Sequence, residues 1–64
     1  MMPLTLADIG TENTIRRVGG NEETRRFVTG TPITVLSSIG GNVIVNVKDS
    51  RVAINEDMAR HIMI

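Results

Sequence analysis

Residues 33–54 read ITVLSSIGGNVIVNVKDSRVAI, and this stretch determines the fold class. It holds three runs rich in Val, Ile and Thr, separated by the turn signals GGN and KDS. Runs of β-branched residues that alternate with period two, between Gly, Asn and Asp, predict a meander of antiparallel strands. Val43, Val45 and Val47 fall on one face of the middle strand, which is typical of a sheet with one face in the core. Because the meander takes up a third of the chain, we expect a mainly β fold.

The segment before the meander is less regular. Leu4 and Leu6 lie in a lead-in that we expect to be extended or to form a single turn, with both leucines in the core. Residues 14–18 are predicted to form the first strand, with Ile15 facing inward.

Two short helices are predicted, each after an asparagine that can cap its N-terminus. Asn21 precedes residues 22–27, and Asn55 precedes residues 56–61; both segments begin with two acidic residues. An Asn side chain accepts hydrogen bonds from the first helical N–H groups, and the helix dipole favours acids there. Because a helix of under two turns is unstable by itself, Phe27 must pack on the sheet for the first helix to persist.

The chain ends with the apolar residues Ile62, Met63 and Ile64, so we expect a closing strand that is paired into the sheet. The sequence thus predicts about five short strands with short helical connections, which is typical of a small antiparallel SH3-like barrel. An OB-like barrel is the less favoured alternative, because no long strand would bend across both halves. We expect a single domain over residues 1–64.

Composition argues against several classes of partner. The 64 residues carry seven basic and seven acidic side chains, and Phe27 is the only aromatic residue. Nucleic-acid binders usually show a basic excess or aromatic stacking platforms, so we expect no nucleic-acid partner. No run approaches the roughly 20 apolar residues that span a bilayer, and the N-terminus lacks the features of a signal peptide. We therefore predict a cytoplasmic protein without membrane insertion.

The residue types do not suggest catalysis. The chain has no cysteine, no tyrosine and one histidine. Because catalysis needs a nucleophile, a base and an orienting group in mutual contact, we predict no enzymatic activity and no cofactor. Disulfides and thiolate metal sites are also excluded. A chain of this length buries only roughly 60% of its surface, so it needs a tight core, a partner or self-association.

His61 and Asp57 are weak candidates for a metal site. They stand four residues apart and could share one face of the predicted helix. A ferrous site requires His and carboxylate ligands that converge around open positions. One His beside one acid is common on any solvated helix face, so we favour a structural role for both and predict no metal.

Arg16, Arg17, Arg25 and Arg26 form two basic pairs, and Phe27 follows the second pair. Arginine and aromatic side chains are frequent hot spots of interfaces. These residues therefore form a candidate docking patch for an acidic partner, with Phe27 as its apolar anchor. The alternative is ordinary surface charge that is partly paired with neighbouring glutamates, and the residues alone favour this alternative.

Four blocks of the sequence follow one another along the chain: LTLADIG at residues 4–10, IRRVGGNEETRRF at 15–27, GTPITV at 30–35 and GGNVIVNVKDSRVAI at 40–54. In this order they resemble the ferrous iron transport protein A family. None is a catalytic motif, so the resemblance rests on their succession over nearly the whole chain. It implies a cytoplasmic SH3-like barrel that supports bacterial ferrous iron uptake. The implied partner is the cytosolic part of a membrane transporter, which carries a GTP-binding domain.

The chain departs from the family after Phe27. Family members usually continue the helix there for another turn or two, whereas here Phe27 runs into Val28-Thr29-Gly30. Apolar residues that would cover one barrel face are missing, and a shortened connection favours domain swapping. We therefore expect a homodimer or a larger, domain-swapped assembly.

Three functions remain open. The resemblance favours an accessory module that binds the ferrous transporter. A metal- or peptide-sensing regulatory barrel, like those appended to iron-dependent transcriptional regulators, is the second. A self-assembling structural domain is the third.

Overall fold

The computed structural model describes residues 1–20 and 26–64. Within these ranges the chain forms six strands, one α-helix and one 3₁₀ turn. The 3₁₀ turn is Leu4–Leu6, the strands are β1 (Glu12–Thr14), β2 (Arg17–Val18), β3 (Pro32–Ile39), β4 (Asn42–Val47), β5 (Ser50–Asn55) and β6 (Ile62–Met63), and the helix is α1 (Glu56–Arg60). The large sheet has the strand order β1-β3-β4-β5, and the small sheet pairs β2 with β6. All pairings are antiparallel. The predicted mainly β, SH3-like fold is confirmed.

The predicted meander forms β3, β4 and β5, which are joined by two-residue turns. Both central residues of each turn have positive φ: 56° and 82° at Gly40 and Gly41, and 52° and 62° at Lys48 and Asp49. Two central residues with positive φ are the mark of a type I′ turn, whose twist matches that of the strands. Glycine adopts this backbone without steric cost, whereas Lys48 and Asp49 adopt it against the sterics of a β-carbon.

A β-bulge at Leu36 interrupts the pairing of β3 with β4. Val35 pairs with Val45 and Ser37 pairs with Ile44, so Leu36 has no cross-strand partner. An extra residue reverses the side-chain alternation beyond the bulge. Ile39 consequently lies 71% exposed instead of sharing the buried face of Val35.

The prediction of one strand over residues 14–18 was wrong. The chain leaves the large sheet after β1 and enters the small sheet at β2. Ile15 lies at the crossing, is 0% exposed, and donates its N–H to the carbonyl of Thr31 at 2.9 Å. The next N–H, of Arg16, donates to the carbonyl of Met63 in the other sheet at 2.8 Å. Ile15 faces inward, as predicted, and its backbone lies where the chain passes from the large sheet to the small sheet.

One core connects both sheets, α1 and the N-terminal turn. Leu4 is buried as expected, but the predicted burial of Leu6 was wrong, because its side chain is 66% exposed. The core residues are Leu4, Ile15, Phe27, Ile33, Val35, Val43, Val45, Ile54, Met58, Ala59, Ile62 and Ile64.

Helix α1 begins where it was predicted to begin. The Asn55 side chain accepts a hydrogen bond from the N–H of Met58 at 2.8 Å. Glu56 and Asp57 occupy the first turn, where the helix dipole favours acids. Since α1 has only five residues, its stability depends on the burial of Met58 and Ala59.

The apolar C-terminal residues form the predicted closing strand. Arg17 pairs with Met63 and Val18 pairs with Ile62. The N–H of Ile64 donates to the carbonyl of Met2, and the reverse hydrogen bond is also made, both at 2.8 Å. The two ends of the chain are therefore held together.

Asn21, most of the helix predicted over 22–27 and the docking candidate Arg25 fall outside the described residues. The described end of that segment, at Arg26 and Phe27, forms a turn and a bend. Phe27 is 4% exposed, which confirms the expected packing of its ring on the sheets. No helix in the described ranges is long and apolar enough to cross a membrane.

Candidate functional site

An open groove of about 220 Å³ lies where α1 meets the small sheet. It is lined by Arg17, Gly19, Arg60, His61 and Met63. We call it the basic groove, because its described lining residues include two arginines and a histidine, whose side chains carry N–H donors.

The small sheet forms one wall of the basic groove. Arg17 of β2 lies directly opposite Met63 of β6, so their side chains are cross-strand neighbours. The N–H of Gly19 donates to the carbonyl of His61 at 2.8 Å. This contact holds the end of β2 against the chain that leaves α1.

The end of α1 supplies the other wall. Arg60 is the last residue of the helix, and His61 is its C-cap. The His61 N–H donates to the carbonyl of Met58 at 3.1 Å, which closes the last turn. Because Asn55 caps the other end of a helix of only five residues, the backbone positions of Arg60 and His61 are closely fixed relative to β5.

The His61 ring is oriented by the helix backbone. Its Nδ1 atom lies 2.6 Å from the carbonyl oxygen of Asp57. A carbonyl oxygen only accepts hydrogen bonds, so Nδ1 carries the proton and donates it. In the part of the chain that the structure describes, the other ring nitrogen, Nε2, has no hydrogen-bond partner and is available to another molecule.

Arg60 forms an exposed ion pair with the Asp57 carboxylate. The two side chains are 58% and 79% exposed. A pair at this spacing on a helix surface stabilises the fold by only about 0.3–0.5 kcal/mol. Arg60 can therefore exchange Asp57 for a carboxylate of a partner at little cost.

The chemistry of the basic groove suits an acidic ligand. Two guanidinium groups offer planar forks of N–H donors that match carboxylate geometry. Met63, the cross-strand neighbour of Arg17, adds a flexible apolar surface to the lining. Among the described residues that line the groove, none is acidic, and Asp57 forms its ion pair with Arg60.

The predicted metal candidates do not share a ligand set. The Asp57 carboxylate contacts Arg60, whereas the His61 ring bonds to the backbone carbonyl of Asp57. Across the described ranges, no three His, Cys, Asp or Glu residues are grouped in a way that could hold a metal ion.

The structure separates the predicted docking residues. Arg17 lies in the basic groove. Successive residues of an extended chain point to opposite sides, so the exposed Arg16, which precedes Arg17, is directed away from the groove. Arg26 is exposed, and its guanidinium carbon lies 5.3 Å from the centroid of the Phe27 ring, a cation–π contact. Since Phe27 is buried in the core, it can act as a partner anchor only if the ring leaves that core.

Sequence reasoning missed three residues of the basic groove, namely Gly19, Arg60 and Met63. They come together only through the pairing of β2 with β6, which joins opposite ends of the chain. The sequence did hold one signal, the predicted closing strand. Pairing it with the predicted strand at residues 14–18 would have placed Met63 beside Arg16 and Arg17.

The comparisons with known proteins agree with this architecture. The family model of the FeoA domain matches residues 2–64, a range that contains every described strand and α1. Among solved structures, the chain is similar to the crystal structure of an iron uptake regulatory protein (FeoA), with 26% sequence identity and a TM-score of 0.82. That similarity covers 97% of this chain and 90% of that chain. No curated protein gives a match.

Proposed function

This chain belongs to the FeoA family, and from this we propose that it is an accessory protein that binds the cytosolic part of a ferrous iron transporter. Membership of the family implies involvement in ferrous iron uptake. Binding to the transporter through the basic groove, on the cytoplasmic side of the membrane, is the further step that we propose.

One observation carries this proposal: Arg17 and Arg60 come from distant parts of the chain and line the same groove. Arg17 is fixed by the pairing of β2 with β6, and Arg60 by the capped helix α1. Arginines that are held by the fold lose less freedom on binding than arginines on loose segments. A rigid basic groove beside an apolar side chain is suited to an acidic segment of another protein.

A binding role also fits the contacts of His61. Its Nδ1 donates to a backbone carbonyl, whereas a catalytic histidine is typically oriented by a carboxylate while it contacts a nucleophile. We therefore assign His61 to recognition: Nε2 is the nitrogen left for a hydrogen bond with the partner.

The proposal is tested by an amide-shift NMR titration of the full chain with the cytosolic domain of its cognate ferrous transporter. We expect shifts to concentrate at the five residues of the basic groove. Arg17→Glu reverses the charge of one wall and should weaken binding by about tenfold, because like charges across an interface repel. Lys48→Glu is the matched control, since it makes the same charge change at the β4–β5 turn, outside the groove.

Two results would contradict the proposal. Equal weakening by Lys48→Glu and Arg17→Glu would show that net charge, and not the groove, governs binding. An absence of shifts at high partner concentration would count against this soluble domain as the partner and would favour the regulatory alternative.

A further inference from the structure

Among the described strands, β5 lies at an edge of the large sheet and pairs on one side only. It is the last strand in the order β1-β3-β4-β5. The two-residue turn before it makes Val47 and Ser50 a hydrogen-bonded pair, and hydrogen-bonded pairs alternate along the ladder. Val52 therefore directs its N–H and C=O toward β4, whereas Arg51 and Ala53 direct theirs away from the sheet.

Among the described residues, no backbone hydrogen bond meets the outward groups of Arg51 and Ala53. Both residues are exposed, while Val52 is half-buried and Ile54 is buried. Natural proteins usually protect such edges with proline, bulges or charged side chains. The β4–β5 register is continuous from Asn42↔Asn55 to Val47↔Ser50, and β5 contains no proline. The charge of Arg51 is therefore the one protective feature of this kind on β5.

We propose that β5 pairs with β5 of a second copy of this chain, antiparallel and about a two-fold axis at Ala53. Ala53 then lies opposite Ala53 of the second copy, and Arg51 lies opposite Asn55 of the second copy. The outward N–H and C=O groups of Arg51 and Ala53 become paired, and the large sheets of the two copies join into one. An interface of this kind uses the same surface on both chains, as two-fold symmetry requires.

Among registers whose axis passes through an outward-directed residue of β5, side-chain charge and the cap of α1 favour this one. An axis at Arg51 would place two arginines directly opposite one another, which is destabilising. An axis at Asn55 would press together the two residues that cap α1. With the axis at Ala53, small side chains meet at the centre. Arg51 lies opposite the residue that directly precedes Glu56 of the second copy, and by symmetry this arrangement occurs twice. The chain thus carries a complementary charge for its own edge.

This interface differs from the predicted domain swap, because no segment is exchanged. It also lies on the large sheet, whereas the basic groove lies at the small sheet, so either proposal can fail without the other.

The experiment combines sedimentation equilibrium with amide hydrogen exchange of the full chain, from low micromolar to millimolar concentration. We expect a monomer–dimer equilibrium in which the Arg51 and Ala53 amides gain protection only in the dimer. The Val52 and Ile54 amides bond to β4 and should be protected at every concentration. A mass that stays monomeric throughout would overturn the proposal, as would a dimer whose Arg51 and Ala53 amides exchange freely, the result that domain swapping predicts.

Variants at the proposed axis separate pairing from folding. Ala53→Lys places two like charges face to face and should raise the dimer dissociation constant at least about tenfold. The Ala53 side chain is exposed, so the monomer's thermal transition at low concentration should not change, and Ala53→Ser serves as the neutral control. Arg51→Glu should also weaken the dimer, and Glu56→Arg in the same chain should restore it. An Ala53→Lys variant that dimerises like the parent chain would contradict the proposal.

Discussion

The large sheet and the small sheet differ in the distance along the chain between their partners. In the large sheet, β3, β4 and β5 follow one another and are joined by two-residue turns. In the small sheet, β2 and β6 come from opposite ends of the chain and contribute two residues each. Loop closure makes local pairs cheap in entropy and distant pairs costly. The small sheet must therefore be stabilised by something other than its own ladder.

That stabilisation comes from the core and from hydrogen bonds on both sides of the ladder. Ile15 lies shortly before β2, Ile62 belongs to β6, and both side chains are 0% exposed. The N–H groups of Arg16 and Gly19 donate to the carbonyls of Met63 and His61, respectively. The basic groove is built on this sheet, so the candidate site exists only when the whole chain has folded.

The largest expected effect tests whether the small sheet is as much a part of the core as the large sheet. Ile62 of β6 and Ile33 of β3 are both 0% exposed. We expect Ile62→Ala and Ile33→Ala each to lower the free energy of unfolding by about 3 kcal/mol, because each removes the same buried atoms and leaves a cavity. Urea unfolding monitored by circular dichroism measures both.

Ile39→Ala is the matched control, since it makes the same change at a residue that is 71% exposed, and its effect should lie within about 0.5 kcal/mol of zero. If an alanine variant does not fold, the valine variants at positions 62 and 33 should each cost about 1 kcal/mol. An Ile62 variant that costs much less than its Ile33 counterpart would show that the small sheet is a dispensable addition.

The β3–β5 meander of the large sheet could be predicted because its determinants are local, whereas β1, which pairs with β3 from a distant part of the chain, was not predicted. Period-two alternation gave the faces of β4, and the GGN and KDS signals gave both turns. The bulge at Leu36 was not predicted, because nothing in the order of residues on β3 marks it. It depends on how β3 fits against β4.

The small sheet and the site were less predictable for a related reason. Residues 14–18 alternate too briefly to show that the chain changes sheets at Ile15. Arg17 was selected from its charge alone, whereas Arg60 and Met63 required knowledge of a pairing between the two ends of the chain. Charge can be seen in a sequence, but convergence of charges is a property of the tertiary fold.

The second prediction concerns Asn55, the residue at which the large sheet passes into α1. Its side chain satisfies the N–H of Met58, so Asn55→Ala should lower the free energy of unfolding by about 1 kcal/mol. Asn55→Asp retains an acceptor at the cap and should stay close to the parent chain. Urea unfolding of the three proteins measures this. Equal stability of all three would show that burial of Met58 and Ala59 is sufficient to set the start of α1.

The smallest expected effect on stability concerns the ion pair at the margin of the basic groove. Asp57→Asn keeps the shape of the side chain and removes the charge that holds Arg60. Because the pair is exposed, we expect the free energy of unfolding to fall by less than about 0.5 kcal/mol. The His61 ring should keep its orientation, since its hydrogen bond is to the Asp57 backbone.

The effect of Asp57→Asn on binding should be opposite in sign to its effect on stability. Releasing Arg60 makes the groove more positive, so the affinity for the cytosolic domain of the ferrous transporter should rise by about threefold, a gain that added salt reduces. Glu56→Gln is the matched control: it removes the same charge one residue earlier on α1 and leaves the Arg60–Asp57 pair intact. An equal gain from both variants would mean that the partner senses the overall field of the helix. A gain from Asp57→Asn alone would mean that Arg60 is the group that binds the partner. The Arg60–Asp57 ion pair would then regulate binding at the small sheet and α1 although it contributes little to their stability.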